Sequence, residues 1–400
     1  MMLTTLLCLL ASVLRSSCLE LLTTETRWSQ RWVGHNTETS IPSDPFGSVV
    51  GPLMTHDFPD PGVIYVDGVM YGFATTNKEP DPRALIRVQM AKSTDNETWT
   101  FLDHVDALPR IGSWQTGKHV WAPDVIRLPN KTFVLYYTDE LRSSLGHHCI
   151  GAATSESVLG PYKPLDEPIA CPDPRTTGGA IDPDGFLDPS TNKRYIVYKI
   201  DGNSLGRGGA CNNMPPTRQT PIMLQEVSAE DGVTLIDAPT LILDRDELDG
   251  PLIEAPVLAV SIQDKQRVYF LLYSANCFTT PLYNVAYATA TDIRGPYVKM
   301  GRPMLVTGDA GLIGPGGLDL LADSHMIVFH GHLPSSRGNS ESGVAGAVAG
   351  HGHSDSDDHD QQMLHVMPRQ HTARVPGGMP VRAMWRANLS FRGREISLAA

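Results

Sequence analysis

The sequence predicts an all-β protein with the fold of a five-bladed β-propeller, and three observations support this prediction. The 400 residues include 36 Gly and 31 Pro, which interrupt long helices and favour short strands joined by turns. One strand-turn-strand motif occurs five times at intervals of roughly 60 to 72 residues, as expected for a repeat architecture. The residues between successive motifs leave room for two further strands, so each repeat has the length of a four-stranded blade.

Each copy of the motif has a start rich in Pro, Gly or acidic residues, an apolar strand, a polar turn and a second apolar strand. The copies are DPGVIYVDGVMYGFAT from Asp60, APDVIRLPNKTFVLYYT from Ala122, DPDGFLDPSTNKRYIVYK from Asp182, EAPVLAVSIQDKQRVYFLLYS from Glu254 and PGGLDLLADSHMIVFHG from Pro315. The stretches LIRVQMAKS, CIGAATS, IMLQEVSA and YNVAYATA between them have the β-propensity of further strands. A pair of β-sandwiches would not explain one motif repeated five times.

The charge balance excludes some classes of partner. The chain has 32 Lys and Arg against 44 Asp and Glu, a formal net charge of −12, which disfavours nucleic acid and anionic membrane surfaces. No apolar run after the first residues is long enough to span a bilayer. We therefore expect a monomer that binds neither nucleic acid nor membrane.

Four cysteines remain after Cys8 and Cys18 are assigned to a leader or its border: Cys149, Cys171, Cys211 and Cys277. None has the spacing of a zinc site, so disulfides are favoured, although buried free thiols stay open. The predicted strand order places Cys211 and Cys277 on rim loops of adjacent blades, and Cys149 and Cys171 in one blade. These are the two pairings that we expect.

In a propeller the first strand of each blade lies nearest the axis, so the starts of the five copies meet at one mouth. That column contains Asp60, Ala122, Asp182, Glu254 and a Pro/Gly site. A cluster of like charges is unfavourable unless function requires it. Two carboxyl groups, one protonated and one ionised, carry out glycoside hydrolysis, and a third would raise the pKa of the acid. Sequence motifs for acyl transfer, metalloprotease or nucleotide chemistry are missing.

Four segments, HDFPDPGVI, HVWAPDVI, GGAIDPDGFLD and IEAPVL, resemble those of glycoside hydrolase family 43. The resemblance implies a five-bladed propeller and an inverting hydrolase of arabinose- or xylose-containing plant cell-wall polysaccharides. It also implies that Asp60 is the general base, Glu254 the general acid and Asp182 the residue that modulates the pKa of the acid. Inversion requires the carboxyl groups of base and acid to lie roughly 6.5–9.5 Å apart.

Further candidates for substrate contact are Trp121, His56, Phe58 and His330, and packing in the core is the alternative for each. Lys199 and Asn203 border the rim of the third blade. Many members of the family have GPGH at the start of blade five, where the His helps to hold a central cation, but this chain has Gly317 at the His position. This departure counts against a bound calcium, and we expect no cofactor to be required.

We expect residues 1–18 to be a signal peptide, 19–45 an N-terminal arm and 46–398 a single catalytic propeller. The propeller is interrupted at 335–372 by a Gly-, Ser-, Asp- and His-rich loop that lacks the apolar residues to pack and is expected to be disordered. Its histidines could bind a metal weakly, but a solvated segment is the preferred interpretation. The leader and the sequons at Asn96, Asn130 and Asn388 predict a secreted, extracellular glycoprotein.

The leading functional hypothesis is a secreted inverting hydrolase of arabinose-containing polysaccharide or oligosaccharide, of the α-L-arabinofuranosidase or endo-1,5-α-L-arabinanase type. A β-xylosidase of the same family is the nearest alternative. A non-catalytic sugar-binding propeller is the alternative of a different class, and the presence of all three acidic residues argues against it.

Overall fold

A computed structural model of the chain describes residues 48–77, 84–322, 324–333 and 380–399. These residues form five four-stranded antiparallel sheets in which the strands follow one another in sequence order. The five-bladed β-propeller predicted from the repeats is therefore confirmed. The predicted signal peptide, the N-terminal arm and the loop at 335–372 lie outside the described residues, so these three assignments stay predictions.

The twenty strands of the described residues have the following bounds. Blade 1 contains β1 (Gly62–Val66), β2 (Val69–Ala74), β3 (Gln89–Ser93) and β4 (Thr100–Phe101). Blade 2 contains β5 (Trp121–Arg127), β6 (Phe133–Glu140), β7 (His148–Ser155) and β8 (Lys163–Pro164). Blade 3 contains β9 (Ala180–Asp188), β10 (Lys193–Ile200), β11 (Ile222–Val227) and β12 (Leu235–Leu243). Blade 4 contains β13 (Ile253–Gln263), β14 (Gln266–Ala275), β15 (Asn284–Ala290) and β16 (Val298–Lys299). Blade 5 contains β17 (Gly316–Leu320), β18 (Met326–His332), β19 (Arg382–Arg392) and β20 (Glu395–Leu398).

The central part of the second strand of each blade is apolar because both of its faces are covered by neighbouring blades. In β6, Phe133, Leu135 and Tyr137 pack in an apolar cluster shared with blade 1. Val134 and Tyr136 alternate with them and pack in a cluster shared with blade 3. The two-residue period of a strand thus divides one apolar run between two interfaces.

The core of the described propeller consists of five apolar clusters, one at each junction between blades. The cluster between blades 5 and 1, for example, contains Val63 and Met70 of blade 1 with Val328 and Met384 of blade 5. Burial of apolar surface therefore holds neighbouring blades together all around the ring.

The ring is closed by the segment that precedes β1. Backbone amides of Val50, Leu53 and Phe58 donate hydrogen bonds to carbonyl oxygens of β19 over 2.9, 2.8 and 2.9 Å. The Asp57 carboxylate accepts a further bond, 2.8 Å long, from the amide of Arg382 at the start of β19. Residues from the two ends of the described chain therefore join blade 5 to blade 1.

Both predicted disulfides are present: Cys149, in β7, is joined to Cys171, and Cys211 is joined to Cys277 across two connections between strands of blades 3 and 4. Short 3₁₀ turns occur in such connections at Gly202–Leu205, Gly209–Cys211 and Asp309–Gly311. Within the residues that the structure describes, no helix is long and apolar enough to cross a membrane.

Candidate active site

The first strands of the five blades start around one central cavity. Its lining consists of three consecutive residues from each blade: 60–62, 122–124, 182–184, 255–257 and 317–319. The first residue of every triplet has a left-handed backbone conformation, with φ between 43° and 57°, at Asp60, Ala122, Asp182, Ala255 and Gly317. Four of these five are not glycine, and such a conformation costs free energy for residues with a side chain. The same local backbone therefore recurs five times at the axis.

This backbone position corrects one detail of the sequence alignment. Asp60 and Asp182 share the left-handed position, but in blade 4 Ala255 occupies it and Glu254 lies one residue earlier. Glu254 is therefore equivalent to Trp121 of blade 2, not to Asp60 and Asp182. The sequence-based column was wrong by one residue in blade 4, because the motif copies were aligned on their acidic residues.

Asp60 lies in a polar environment made by blades 1 and 5. The hydroxyl of Thr75 donates a 2.7 Å hydrogen bond to Asp60 Oδ2, and Arg382 Nη1 lies 3.5 Å from the same oxygen. The Asp60 amide donates to His330 Nδ1 over 3.1 Å, and this nitrogen lies 3.3 Å from Asp60 Oδ1. Thr75 and Arg382 fix the carboxylate and stabilise its negative charge.

Glu254 and Asp182 form a second group with Lys199, whose side chain has no exposed surface. Lys199 Nζ donates a 3.2 Å hydrogen bond to Glu254 Oε2, and the nearby side chain of Tyr283 also lowers the pKa of this carboxyl group. Asp182 Oδ2 accepts a 3.0 Å bond from the amide of Ala255, the residue after Glu254. The two acidic side chains are therefore held next to each other by adjacent blades.

The pKa values of this pair are perturbed in the direction that acid catalysis needs. Burial, and next the negative charge of Glu254, raise the pKa of Asp182 to about 8. Burial also raises the pKa of Glu254, while the ammonium group of Lys199 opposes this shift. At neutral pH the pair thus retains a proton, and the two titrations are linked.

The structure separates the other predicted contact residues. Trp121 is partly exposed and its ring lies 4.1 Å from that of His148, with His119 5.6 Å from Trp121 on another side. His330 is fully buried beside Asp60. Phe58 is also fully buried, within the cluster between blades 5 and 1, which is the core placement that the sequence left open.

His56 is exposed and stacks on Phe101 of β4, the outermost strand of blade 1, at 4.4 Å between ring centroids. Its ring therefore packs on the outer part of the blade, whereas the first strands line the axis.

Sequence reasoning missed Arg382 and Tyr283 and gave Lys199 little weight. Arg382 is at the start of β19, a strand for which no motif was found. Lys199 did leave a signal, because the motif copies end in Thr75, Thr138, Lys199, Ser274 and, before a glycine, His330. At this position the other copies have a hydroxyl or an imidazole group. The charged residue in the third copy is therefore a difference that is visible in the sequence.

Three buried carboxyl groups lie farther along the first strands: Asp124, Asp184 and Asp319, with one oxygen of each within 4.8 Å of the others. Such a cluster could hold a cation or share protons. Asp124 accepts a 2.9 Å bond from the amide of Gly185, and Asp319 a 2.6 Å bond from that of Val63. Each of these bonds joins neighbouring blades, so the carboxyl groups have a structural role that needs no metal.

Gly317 lies at the position where many members of the family have the histidine that helps to hold a central cation. A Cβ atom on Gly317 would lie 2.6 Å from Asp60 Oδ1 and 2.6 Å from His330 Cε1. The space for a side chain is thus filled by the two residues that surround the Asp60 carboxylate. The residues present do not fit a histidine-held cation at this position.

Comparisons with known proteins agree with the fold. The family model described as "Glycosyl hydrolases family 43" matches residues 50–345, which is more than half of the chain. The chain therefore belongs to glycosyl hydrolase family 43.

Among curated proteins, the chain is 23% identical over 250 residues to extracellular endo-α-(1→5)-L-arabinanase 2 of Bacillus subtilis strain 168, covering 62% of this chain and 51% of the relative. It is 26% identical over 275 residues to arabinanase 1 of the same organism, covering 63% and 74%. The chain spans about half the length of the first of these relatives.

Among solved structures, a thermostable family-43 glycoside hydrolase superposes with a TM-score of 0.60 at 21% identity, covering 86% of this chain and 93% of that one. An exo-1,5-α-L-arabinanase from a bovine ruminal metagenomic library superposes with a TM-score of 0.56 at 18% identity, covering 86% and 97%. At these identities the likeness supports the fold.

Proposed function

We propose that this protein is an inverting glycoside hydrolase that cleaves arabinose-containing plant cell-wall polysaccharide, as an α-L-arabinofuranosidase or an endo-1,5-α-L-arabinanase. The observation that carries the proposal is that Asp60 and Asp182 line one central cavity and that Glu254 directly precedes the lining residue Ala255, in a member of family 43. The names of the curated relatives, all extracellular arabinanases, support arabinan as the substrate class.

The proposed mechanism assigns one proton transfer to each of two carboxyl groups. Asp60, held by Thr75 and Arg382, removes a proton from a water molecule that attacks the anomeric carbon. Glu254 donates its proton to the glycosidic oxygen as the bond to the anomeric carbon breaks. One C–O bond forms and one breaks, and the configuration at the anomeric carbon inverts.

Asp182 has the role of modulator in this proposal. The charge of Glu254 disfavours the ionisation of Asp182, and loss of contact with water disfavours the ionisation of both carboxyl groups. The pair therefore keeps a proton near neutral pH, which is the condition for a general acid. Trp121, partly exposed at the start of β5, supplies a ring face on which a sugar can stack.

The protein is proposed to be secreted and to act outside the cell. The protein has two disulfides, Cys149–Cys171 and Cys211–Cys277, and disulfides persist in oxidising compartments. The sequons at Asn130 and Asn388 are exposed, as attachment of a glycan requires.

The proposal is tested by hydrolysis of debranched arabinan, nitrophenyl α-L-arabinofuranoside and nitrophenyl β-D-xyloside in parallel. We expect release from an arabinose substrate, with proton NMR showing that the first product has the anomeric configuration opposite to that of the substrate. Release from the xyloside alone would favour the β-xylosidase alternative. Sugar binding without hydrolysis of any substrate would favour a non-catalytic propeller, and a product of retained configuration would refute the proposed mechanism.

A further inference from the structure

Lys199 interrupts a hydrogen-bond pattern that the other four described blades share. The last part of each second strand presents a side chain to the left-handed residue of the next blade. In four blades this side chain accepts the amide hydrogen of that residue: Thr75 from Ala122, Thr138 from Asp182, Ser274 from Gly317 and His330 from Asp60. Blade 3 has Lys199 at this place, and an ammonium group only donates.

The equivalence of these positions follows from the strand register. Thr138 pairs with Trp121, Ser274 with Glu254 and Lys199 with Ile181. In each pair the partner is the residue that precedes the left-handed position. Lys199 is therefore the blade 3 counterpart of the hydroxyl groups in blades 2 and 4.

The exchange changes the hydrogen bonds of both acidic side chains. The amide of Ala255, which has no hydroxyl acceptor in blade 3, donates to Asp182 Oδ2 over 3.0 Å. Lys199 Nζ extends to Glu254 Oε2 at 3.2 Å and lies 3.7 Å from Asp201 Oδ1. In blade 3 the bond to the next blade is thus made by Asp182, and the side chain of Lys199 contacts Glu254 instead.

Stability alone does not account for a lysine at this place. Lys199 has no exposed surface, and removing a charge from water is costly even when it is paired. A threonine or serine satisfies the same backbone position in blades 1, 2 and 4, without any buried charge. The presence of a lysine is therefore better explained by a role in the candidate active site.

We propose that Lys199 is a positioning residue for Glu254, which holds the carboxyl group in one orientation at the mouth and sets the pH at which it releases its proton. This inference rests on the proposed function in so far as Glu254 is the general acid. The groups that face Glu254 are Lys199 on β10, Asp182 on β9, Asp60 before β1 and Tyr283 before β15.

The sign of the electrostatic effect follows from these neighbours. Lys199 is the positive charge that lowers the pKa of Glu254, while burial and Asp60 raise it. Without Lys199 the Glu254 proton would be held more tightly. The acid would then be weaker, and the alkaline limb of the pH–rate profile would move to higher pH.

The test compares Lys199→Met and Lys199→Gln with Lys199→Arg, and uses Lys193→Met as a matched control. Lys193 begins the same strand and pairs with Glu226 at 2.9 Å, with half of its side chain exposed. The first measurement follows the Glu254 carboxyl carbon by NMR in protein labelled at glutamate, with the signal assigned by Glu254→Gln. It needs no substrate.

We expect the Glu254 titration midpoint to rise by roughly one to three pH units in Lys199→Met. Lys199→Arg should keep the midpoint near that of the wild type, and Lys193→Met should not change it. With an arabinan substrate, kcat should fall on the order of 10²-fold in Lys199→Met, KM should change little, and the alkaline limb should move upward.

An unchanged midpoint in folded Lys199→Met would overturn the proposal, as would loss of kcat with no movement of the alkaline limb. If the methionine variant does not fold, Lys199→Gln, which keeps a donor without the charge, decides by the same titration. If the wild type hydrolyses none of the substrates, the proposed function fails while the titration still decides whether Lys199 controls Glu254.

Discussion

The cluster of Asp124, Asp184 and Asp319 makes the stability of the propeller depend on pH. Burial, and next the charge of Asp319, raise the pKa of Asp124 to about 8. Burial raises the pKa of Asp319 to about 6, and that of Asp184 well above its usual value. The folded protein therefore binds protons here that the unfolded chain releases near pH 4. Their contribution to stability is fully present below about pH 4 and is lost as the pH rises towards 8.

The change Asp124→Asn should reduce this dependence without removing the bond between blades. An asparagine Oδ1 can still accept the hydrogen bond from Gly185, and the side chain needs no extra proton. Each additional proton held by the folded state lowers the free energy of unfolding by about 1.4 kcal/mol per pH unit. Between about pH 5 and about pH 7 the curve of the variant should therefore be flatter by about 2.7 kcal/mol in total.

Urea unfolding of wild type and Asp124→Asn at several values of pH between these limits measures the difference. Asp95→Asn is the control, because backbone hydrogen bonds from Thr98 and Glu97 lower the pKa of Asp95 to about 2. Asp95 is ionised in both folded and unfolded protein above about pH 5, so its variant should run parallel to the wild type. Parallel curves for Asp124→Asn would refute the reasoning. A calcium-dependent gain in stability that Asp124→Asn abolishes would show that a cation, not a proton, neutralises the cluster.

Three further predictions concern the site and the surface. Glu254→Gln should abolish hydrolysis of arabinan but affect aryl glycosides with good leaving groups less, because these need little protonation; equal loss in parallel kcat/KM measurements would contradict an acid role. Gly317→Ala should lower stability by about 1–3 kcal/mol and lower kcat, because its Cβ would lie 2.6 Å from Asp60 Oδ1. Gly393→Ala is its control, with a similar φ of 61° and no atom within 4 Å of the added Cβ; equal kcat in both variants would argue against displacement of Asp60. After expression in a eukaryotic secretory host, Asn388→Gln should remove one glycan-sized step from the mass lost on enzymatic deglycosylation, and an unchanged mass loss would show that the sequon is not used.

The fold could be predicted because every blade packs its second strand between neighbouring blades in the same way. Where both faces of the second strand are buried, its residues must be apolar. The segments FVLYY of blade 2 and YFLLY of blade 4 show this directly. Five copies at similar intervals then fix the number of blades. The prediction depended on periodicity and turn residues, both of which are local properties of the chain.

The candidate site was less accessible to sequence reasoning because it depends on register. Glu254 and Asp60 look equivalent when the copies are aligned on acidic residues, but the backbone puts Ala255 at the position of Asp60. Arg382 reaches Asp60 from a strand far along the chain, and no local pattern links the two. Phe58 precedes Asp60 closely in sequence, yet the pairing of its segment with β19 turns its ring into the core.

The closure of the ring has a consequence for how the protein would lose activity on heating. Phe58, the last residue of the closing segment to bond to β19, is two positions before Asp60. Arg382 of β19, which bonds to Asp57 and Phe58 of this segment, also contacts the Asp60 carboxylate. Release of this one seam would displace the proposed base while four of the junctions between blades are still packed. On heating, activity should then be lost at a lower temperature than that at which the sheets unfold.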